Sequence, residues 1–248
     1  FFFTQTPAYA MLRSLVGSEM CIRDRMEDLI TEGVYDPGIF KAVFLMGGPG
    51  SGKSTVVDGL SLSTLGLKKV NSDRAFEIGL KKAGLSLDLR KTPEPVKEPI
   101  RGKAKTLTAK MLDGYLAGRL GVIFDTTSAN TSKIKNYKKM LDALGYESKM
   151  IFVNTSLDVA LERNANRSRS VPENIVKTNW ATTQNNMGRY QKLFQPANFY
   201  VIDNSSSEKE LVTTTLNKAA SIVRRTMNQP HNFIAKQWIQ KELKAKKR

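Results

Sequence analysis

Eight consecutive residues, Gly47-Gly48-Pro49-Gly50-Ser51-Gly52-Lys53-Ser54, constrain this chain more than any other feature. They fit G-x-x-x-x-G-K-[ST], with the apolar run AVFLM at 42–46 before them and a helix-compatible stretch from about 52 to 62 after them. Glycines at these positions let backbone N–H groups turn inward around phosphate oxygens, where side chains would block the approach. A helix beginning near Gly52 aims its unpaired N–H groups and positive dipole end at the same anion. Lys53 reaches the β and γ phosphates, and Ser54, followed by Thr55, offers a hydroxyl to Mg²⁺. The motif therefore predicts a site for ATP or GTP with magnesium on a strand-to-helix turn.

The rest of the chain fits that context. Short runs rich in apolar residues at 122–124, 149–153 and 198–202 read as further strands, and Lys69–Asn71, with one apolar residue, as a weak second strand. Helical patterns fall at 74–83, 102–118, 134–144, 157–166 and from after 202 to about 225. In the second of these Leu107, Met111, Leu112, Tyr115 and Leu116 recur at helical spacing. Residues 84–100, with Pro93, Pro95 and Pro99, read as a surface excursion. Ser170-Val171-Pro172-Glu173 matches a capping box opening another helix. Strands alternating with helices predict an α/β fold: a P-loop NTPase-type parallel sheet of about five strands with helices on both faces. The expected domain spans 38–225, with a lead-in at 26–37 and a basic extension at 226–248.

Composition excludes several classes. The single cysteine, Cys21, and single histidine, His231, rule out zinc clusters and Cys-His nucleophile pairs by count. No run approaches the roughly 18 apolar residues of a membrane helix. Residues 1–25 (FFFTQTPAYAMLRSLVGSEMCIRDR) resemble translated sequencing-adapter DNA and carry no basic n-region, so they are expected to be non-native, with Met26 as the start. The remainder, free of cysteine, fits a reducing cytoplasm.

Three further segments carry chemistry. Asn71-Ser72-Asp73-Arg74 ends the second strand, at the sheet edge where open α/β folds bind ligands. There Asp73 either accepts a proton from a substrate hydroxyl or simply caps a helix. Asp125 ends the third strand, followed by Thr126 where a motor ATPase would place a water-activating Glu. Asp125 suits a magnesium shell, the orientation of a substrate, or a helix or turn cap after a strand. Arg163, Arg167 and Arg169 lie between a helix and the next helix start. They are either a cationic clamp on a transferring phosphoryl group or a solvated basic turn.

Together GGPGSGKST, NSD, FDTT and ERNANRSRSVPENI, in that order over about 40–203, resemble the zeta-toxin-like and phage polynucleotide-kinase-like P-loop kinases. The resemblance implies ATP·Mg²⁺ and γ-phosphoryl transfer to an alcohol group. It implies Asp73 as general base, Arg163 and Arg167 as lid arginines, and Asp125 as the acidic position after the third strand. The polynucleotide kinases place an Arg three residues after the base, whereas this chain has Phe76, which counts against binding a nucleic-acid 3′-phosphate.

The formal charge is +16, and the tail holds Lys236, Lys241, Lys244, Lys246, Lys247 and Arg248 against Glu242. A fraying solvated helix and a nucleic-acid contact both fit it. Three functions follow. They are a kinase of a small metabolite or nucleotide sugar, a polynucleotide 5′-hydroxyl kinase, and a nucleic-acid-binding module that uses ATP as a structural or switching ligand. The motifs name no protein partner, an antitoxin included.

Overall fold

The computed structural model describes residues 33–60, 65–127, 130–167, 170–206 and 208–246. The 1–25 leader, Arg169 and the last two tail residues lie outside that set.

Five strands form one all-parallel sheet in the order β2-β3-β1-β4-β5. They are β1 (Lys41–Gly47), β2 (Leu67–Val70), β3 (Gly121–Thr127), β4 (Glu147–Asn154) and β5 (Phe199–Asp203). β1 is central and buried at every position, with Phe44 in register with Phe124 on β3 and Met150 on β4. A parallel strand covered on both faces must be apolar throughout, which is why AVFLM shows no alternation.

Helices cover both faces. On one face Phe44, Met46, Val122, Phe124, Met150 and Phe152 pack with Leu112 and Leu116 of α3 (Glu94–Ala117), Ile134 and Leu141 of α4 (Thr131–Ala143), and Tyr190 and Phe194 of α6 (Glu173–Phe194). On the other, Val43, Leu45, Ile123, Ile151 and Val153 pack with Val56 and Val57 of α1 (Lys53–Gly59) and Ala219 and Val223 of α7 (Lys209–Met227). A third cluster, Phe76, Leu80, Leu89 and Ala104, joins α2 (Asp73–Lys82) to α3. The expected parallel fold is thus the observed one, with element ends shifted by a few residues.

Two local expectations are corrected. Residues 94–100 are helical, not an excursion, because α3 already begins at Glu94. Pro95 falls in the first turn, where a backbone N–H has no helical partner to lose, so it is tolerated. Pro99 lies a turn further in and leaves the Pro95 carbonyl without its helical donor. Lys97 offsets this locally, bonding the Leu89 carbonyl at 2.9 Å and pairing with Glu94 at 2.9 Å. The capping box does not form either. Pro172 occupies the cap position of α6, and the Ser170 hydroxyl instead bonds Asp88 Oδ1 at 3.2 Å on the α2–α3 connection.

The tail packs rather than frays. In α8 (Phe233–Lys246), Ala235 is buried, Trp238 and Ile239 lie against the first cluster, and Trp238 meets Phe40 edge-on at 5.5 Å. The Asn232 carboxamide fixes its start, accepting from the Ala235 N–H and donating to the Gly145 carbonyl, each at 3.0 Å.

Candidate active site

The strand-to-helix turn has the conformation its glycines require. Gly50 and Gly52 adopt φ of 75° and 83°. In addition, a Cβ on Gly50 would strike the Ala160 carbonyl oxygen, and one on Gly52 would strike the Asn204 side chain. α1 starts at Lys53, one residue later than expected, with Gly52 as its cap. Gly47 and Gly48 are buried, Pro49 is half-buried, and Ser51 is buried inside the turn. Ser54 and Thr55 are exposed on the first turn of α1.

The Lys53 ammonium bonds the carbonyl oxygens of Gly47 and Gly48, each at 2.8 Å, and the Ser51 hydroxyl at 3.3 Å. Burial lowers its pKa to about 8, with Arg167 pushing the same way and Asp125 and Asp73 opposing. Lys53 therefore senses the charges of three groups that come from three other segments.

Asp125 is nearly buried at the end of β3. Its Oδ2 accepts from Asn71 Nδ2 at 2.7 Å and pairs with Lys69 at 3.3 Å. The other end of the Asn71 amide accepts the Asp73 N–H at 2.6 Å. One asparagine thus ties the end of β3 to the start of α2. Ser72 holds the cap position of α2, so Asp73 is not serving as the cap.

Asp73, Ser54 and Arg167 all line a cleft of about 1190 Å³ between α1, the end of β2, and helices α2 and α3. The arginines divide. Arg167 faces the cleft. Arg163, on α5 (Leu157–Ala165), bonds the carbonyls of Asn204 and Ser206 at 2.8 and 2.7 Å, on the β5–α7 connection. Phe76 is buried beneath Arg101, whose guanidinium lies 5.0 Å from the ring centroid.

Several residues in this site carried no signal in the sequence. Asn204 donates its side-chain N–H to the Ser51 carbonyl at 2.8 Å. Trp180 lies over Gly48 and donates its indole N–H to the Thr155 carbonyl at 2.8 Å. Asn164 closes the α5–α6 connection, bonding both the N–H and the carbonyl of Val171. Each is an ordinary polar or aromatic residue within a helix or just after a strand, and only its distant partner gives it a role.

The fold and this turn define a P-loop kinase-like α/β protein. A family profile described as "AAA domain" matches residues 43–193, and the chain belongs to that family. No curated protein matches the sequence. Among solved structures, a chain of the AvrRxo1-ORF1:AvrRxo1-ORF2 complex with sulphate ions superposes with TM-score 0.55 at 11% identity, covering 84% of each chain. A chain of the same complex with ATP gives TM-score 0.53 at 10% identity, covering 92% of this chain and 91% of the other. A gluconokinase from Sinorhizobium meliloti 1021 gives 0.46 at 16% identity, covering 75% and 94%. At such identities the likeness is one of fold. Among the described residues no helix is long and apolar enough to cross a membrane.

Proposed function

We propose that this protein is an ATP-dependent kinase that transfers the γ-phosphoryl group to a hydroxyl of a small-molecule acceptor seated in the α2–α3 cleft. One observation carries the reading: the wall of that cleft is shared by Ser54 of the phosphate-binding turn, Asp73 and Arg167. The phosphate-binding turn, a base and a cation for the transferring group then border one space, open to an acceptor hydroxyl as nucleophile.

The phosphate-binding turn, Gly47 through Thr55, holds the nucleotide through its N–H groups and the start of α1. Lys53 exchanges its three loop partners for phosphate oxygens and balances charge on the transferring group. Asp73 orients the acceptor hydroxyl and takes its proton as the O–P bond forms and the bond to ADP breaks. Arg167 bears on the transferring oxygens from the cleft side. Arg163 holds the β5–α7 connection against the nucleotide site. Ser54 and Asp125 supply hard oxygen donors of the kind magnesium takes; they would hold the ion, which would supply positive charge to offset that of the phosphates.

The resemblance to zeta-toxin-like kinases supports this reading. Phe76 disfavours the polynucleotide kinases, since a buried phenylalanine offers no cation to a 3′-phosphate. The test is transfer of label from γ-labelled ATP to a small-metabolite extract, to 5′-hydroxyl DNA and to 5′-hydroxyl RNA. Labelling of a metabolite is the expected result. Labelling of nucleic acid alone would make this a polynucleotide kinase. ATP binding with no transfer would leave a nucleic-acid-binding module switched by ATP.

A further inference from the structure

Arg167 lines the cleft from the α5–α6 connection, whereas Asp73 belongs to α2, and a set of polar groups ties those two pieces of chain together. On one side stands Asn164, buried near the end of α5. Its carbonyl accepts the Arg167 N–H at 3.4 Å, and its side-chain amide bonds the carbonyl and the N–H of Val171 at 2.9 and 3.1 Å. On the other side stands the α2–α3 connection. Asp88 Oδ1 accepts the Ser170 hydroxyl at 3.2 Å across 82 positions of sequence, and the Leu89 N–H donates to the Ser170 carbonyl at 3.3 Å. Ser170 is 1% exposed. The Leu89 carbonyl in turn accepts from Lys97 of α3 at 2.9 Å, and Val171 packs on the cluster of Phe76, Leu80, Leu89 and Ala104. Arg90 gives Asp88 three more donors, its backbone N–H, Nε and Nη2. Those bonds hold the Asp88 carboxyl well below the usual carboxylate range, so it stays an acceptor.

We propose that Asn164, Ser170 and Asp88 are positioning residues for phosphoryl transfer: their clasp holds Arg167 in the wall it shares with Asp73, where it meets the transferring phosphoryl group. None of the three lines the cleft, so they act through Arg167 and not on a substrate. Three residues of chain span at most about 11 Å, so fixing Ser170 on the α2–α3 connection and Val171 on Asn164 bounds where Arg167 can reach. The Ser170 hydroxyl bonds a charged oxygen, which makes that contact one of the stronger hydrogen bonds. Asp73 opens the helix that leads into Asp88, so the clasp fixes the cation relative to the base as well as to the nucleotide. A cation already in place needs no reorganisation as charge develops on the transferring oxygens. What Arg167 acts on rests on the kinase reading, while the hold on Arg167 stands on these hydrogen bonds.

The experiment measures ADP·Mg²⁺ affinity by calorimetry with and without aluminium fluoride, which mimics the phosphoryl group in transfer. The full wild-type chain is compared with Arg167→Ala, Asp88→Ala, Ser170→Ala and the double variant Ser170→Ala/Arg167→Ala. Aluminium fluoride should tighten ADP binding in the wild type. Each clasp variant should lose about tenfold of that tightening, the worth of a hydrogen bond to a charge, with affinity for ADP alone unchanged. The double variant should bind no more weakly than Arg167→Ala. Additive losses, an unaltered tightening in Ser170→Ala, or an equal loss of affinity for ADP alone overturns the proposal. Ser170→Ala removes one hydroxyl, so it decides the matter if Asp88→Ala, which also strands Arg90, does not fold. A wild type that binds ADP without any tightening would sink the kinase reading instead. Phenylglyoxal labelling of arginines then decides the clasp, mapped by mass and scaled to Arg225, which does not line the cleft. Saturating AMPPNP, an ATP analogue, should shield Arg167 several-fold in the wild type and leave it unshielded in Ser170→Ala. Equal shielding in both, or shielding in neither, overturns the clasp.

Discussion

The side-chain amide of Asn204 donates to the backbone carbonyl of Ser51 at 2.8 Å, across 153 positions of sequence. Asn204 also bonds Asn154 through its own N–H at 2.9 Å, and its carbonyl accepts from Arg163 and from the Thr155 hydroxyl. The residue therefore fastens the phosphate-binding turn to the end of β4 and to the arginine of α5. Replacing Asn204 with Ala leaves the buried Ser51 carbonyl without this donor, a cost of about 1–3 kcal/mol. ATP affinity should fall by about tenfold for each 1.4 kcal/mol of that cost borne by the nucleotide-binding conformation. Calorimetric titration alongside thermal unfolding checks it. Unchanged affinity and unchanged Tm would mean the brace is idle.

Lys53 should make nucleotide binding depend on pH. Its pKa in the free protein is lowered to about 8, mainly by burial, from the usual 10.5. Phosphate oxygens favour the charged form, so nucleotide raises that pKa. Between the two values binding takes up a proton, and affinity falls as pH climbs above about 8. Titrations at pH 9 in buffers of different ionisation enthalpy should report that uptake. The linkage to folding has the opposite slope. Between about 8 and 10.5 the unfolded chain holds more protons than the native one, so the stability of the nucleotide-free protein rises with pH through this window. Lys53→Met should abolish the proton uptake, leave the fold intact, and lower turnover by about 10²- to 10³-fold.

Asp73→Asn keeps the size of the side chain and removes its charge. Because Ser72, not Asp73, stands at the cap of α2, folding should be retained. Acceptor phosphorylation should drop by about 10²- to 10⁴-fold with ATP affinity near wild type. A variant that binds ATP and phosphorylates at the wild-type rate would move the base elsewhere, with Asp125 the next carboxylate to replace.

The docked tail makes a stability prediction. Trp238 packs on Phe40 and lies under the Arg119 guanidinium, 5.6 Å from the ring. Trp238→Ala should destabilise the protein by about 2–4 kcal/mol, near the lower part of the range for large aromatic truncations, since the ring is only partly buried. Denaturant unfolding measures it. A change below about 0.5 kcal/mol is what a solvated tail would give.

What the sequence by itself determined is local in the chain. The phosphate-binding turn was legible because its glycines, lysine and serine act through their own backbone and immediate neighbours. The inner strands β1, β3 and β4 were legible because burial on both faces forces continuous apolar runs, whereas the edge strands β2 and β5 are partly exposed and were legible mainly from their place in the strand–helix alternation. Asp73 and Asp125 were legible as carboxylates at strand ends, where topology alone puts them on the ligand edge. Tertiary structure decided everything that depends on a partner far away in sequence. Leu107, Met111 and Tyr115 share a helical stripe with Leu112 and Leu116, yet the first three line the cleft and the last two are core. No periodicity separates them, because the division depends on where α2 and the sheet lie. Pro99 reads as a breaker until Lys97 and the packing of α2 hold its helix in place. Ser170 matches a capping box until Asp88 offers its hydroxyl another partner. Asn204 and Ser51, and Trp180 and Gly48, acquire their roles only when separate segments meet, since hydrogen bonds and close packing form between surfaces that a linear pattern does not contain.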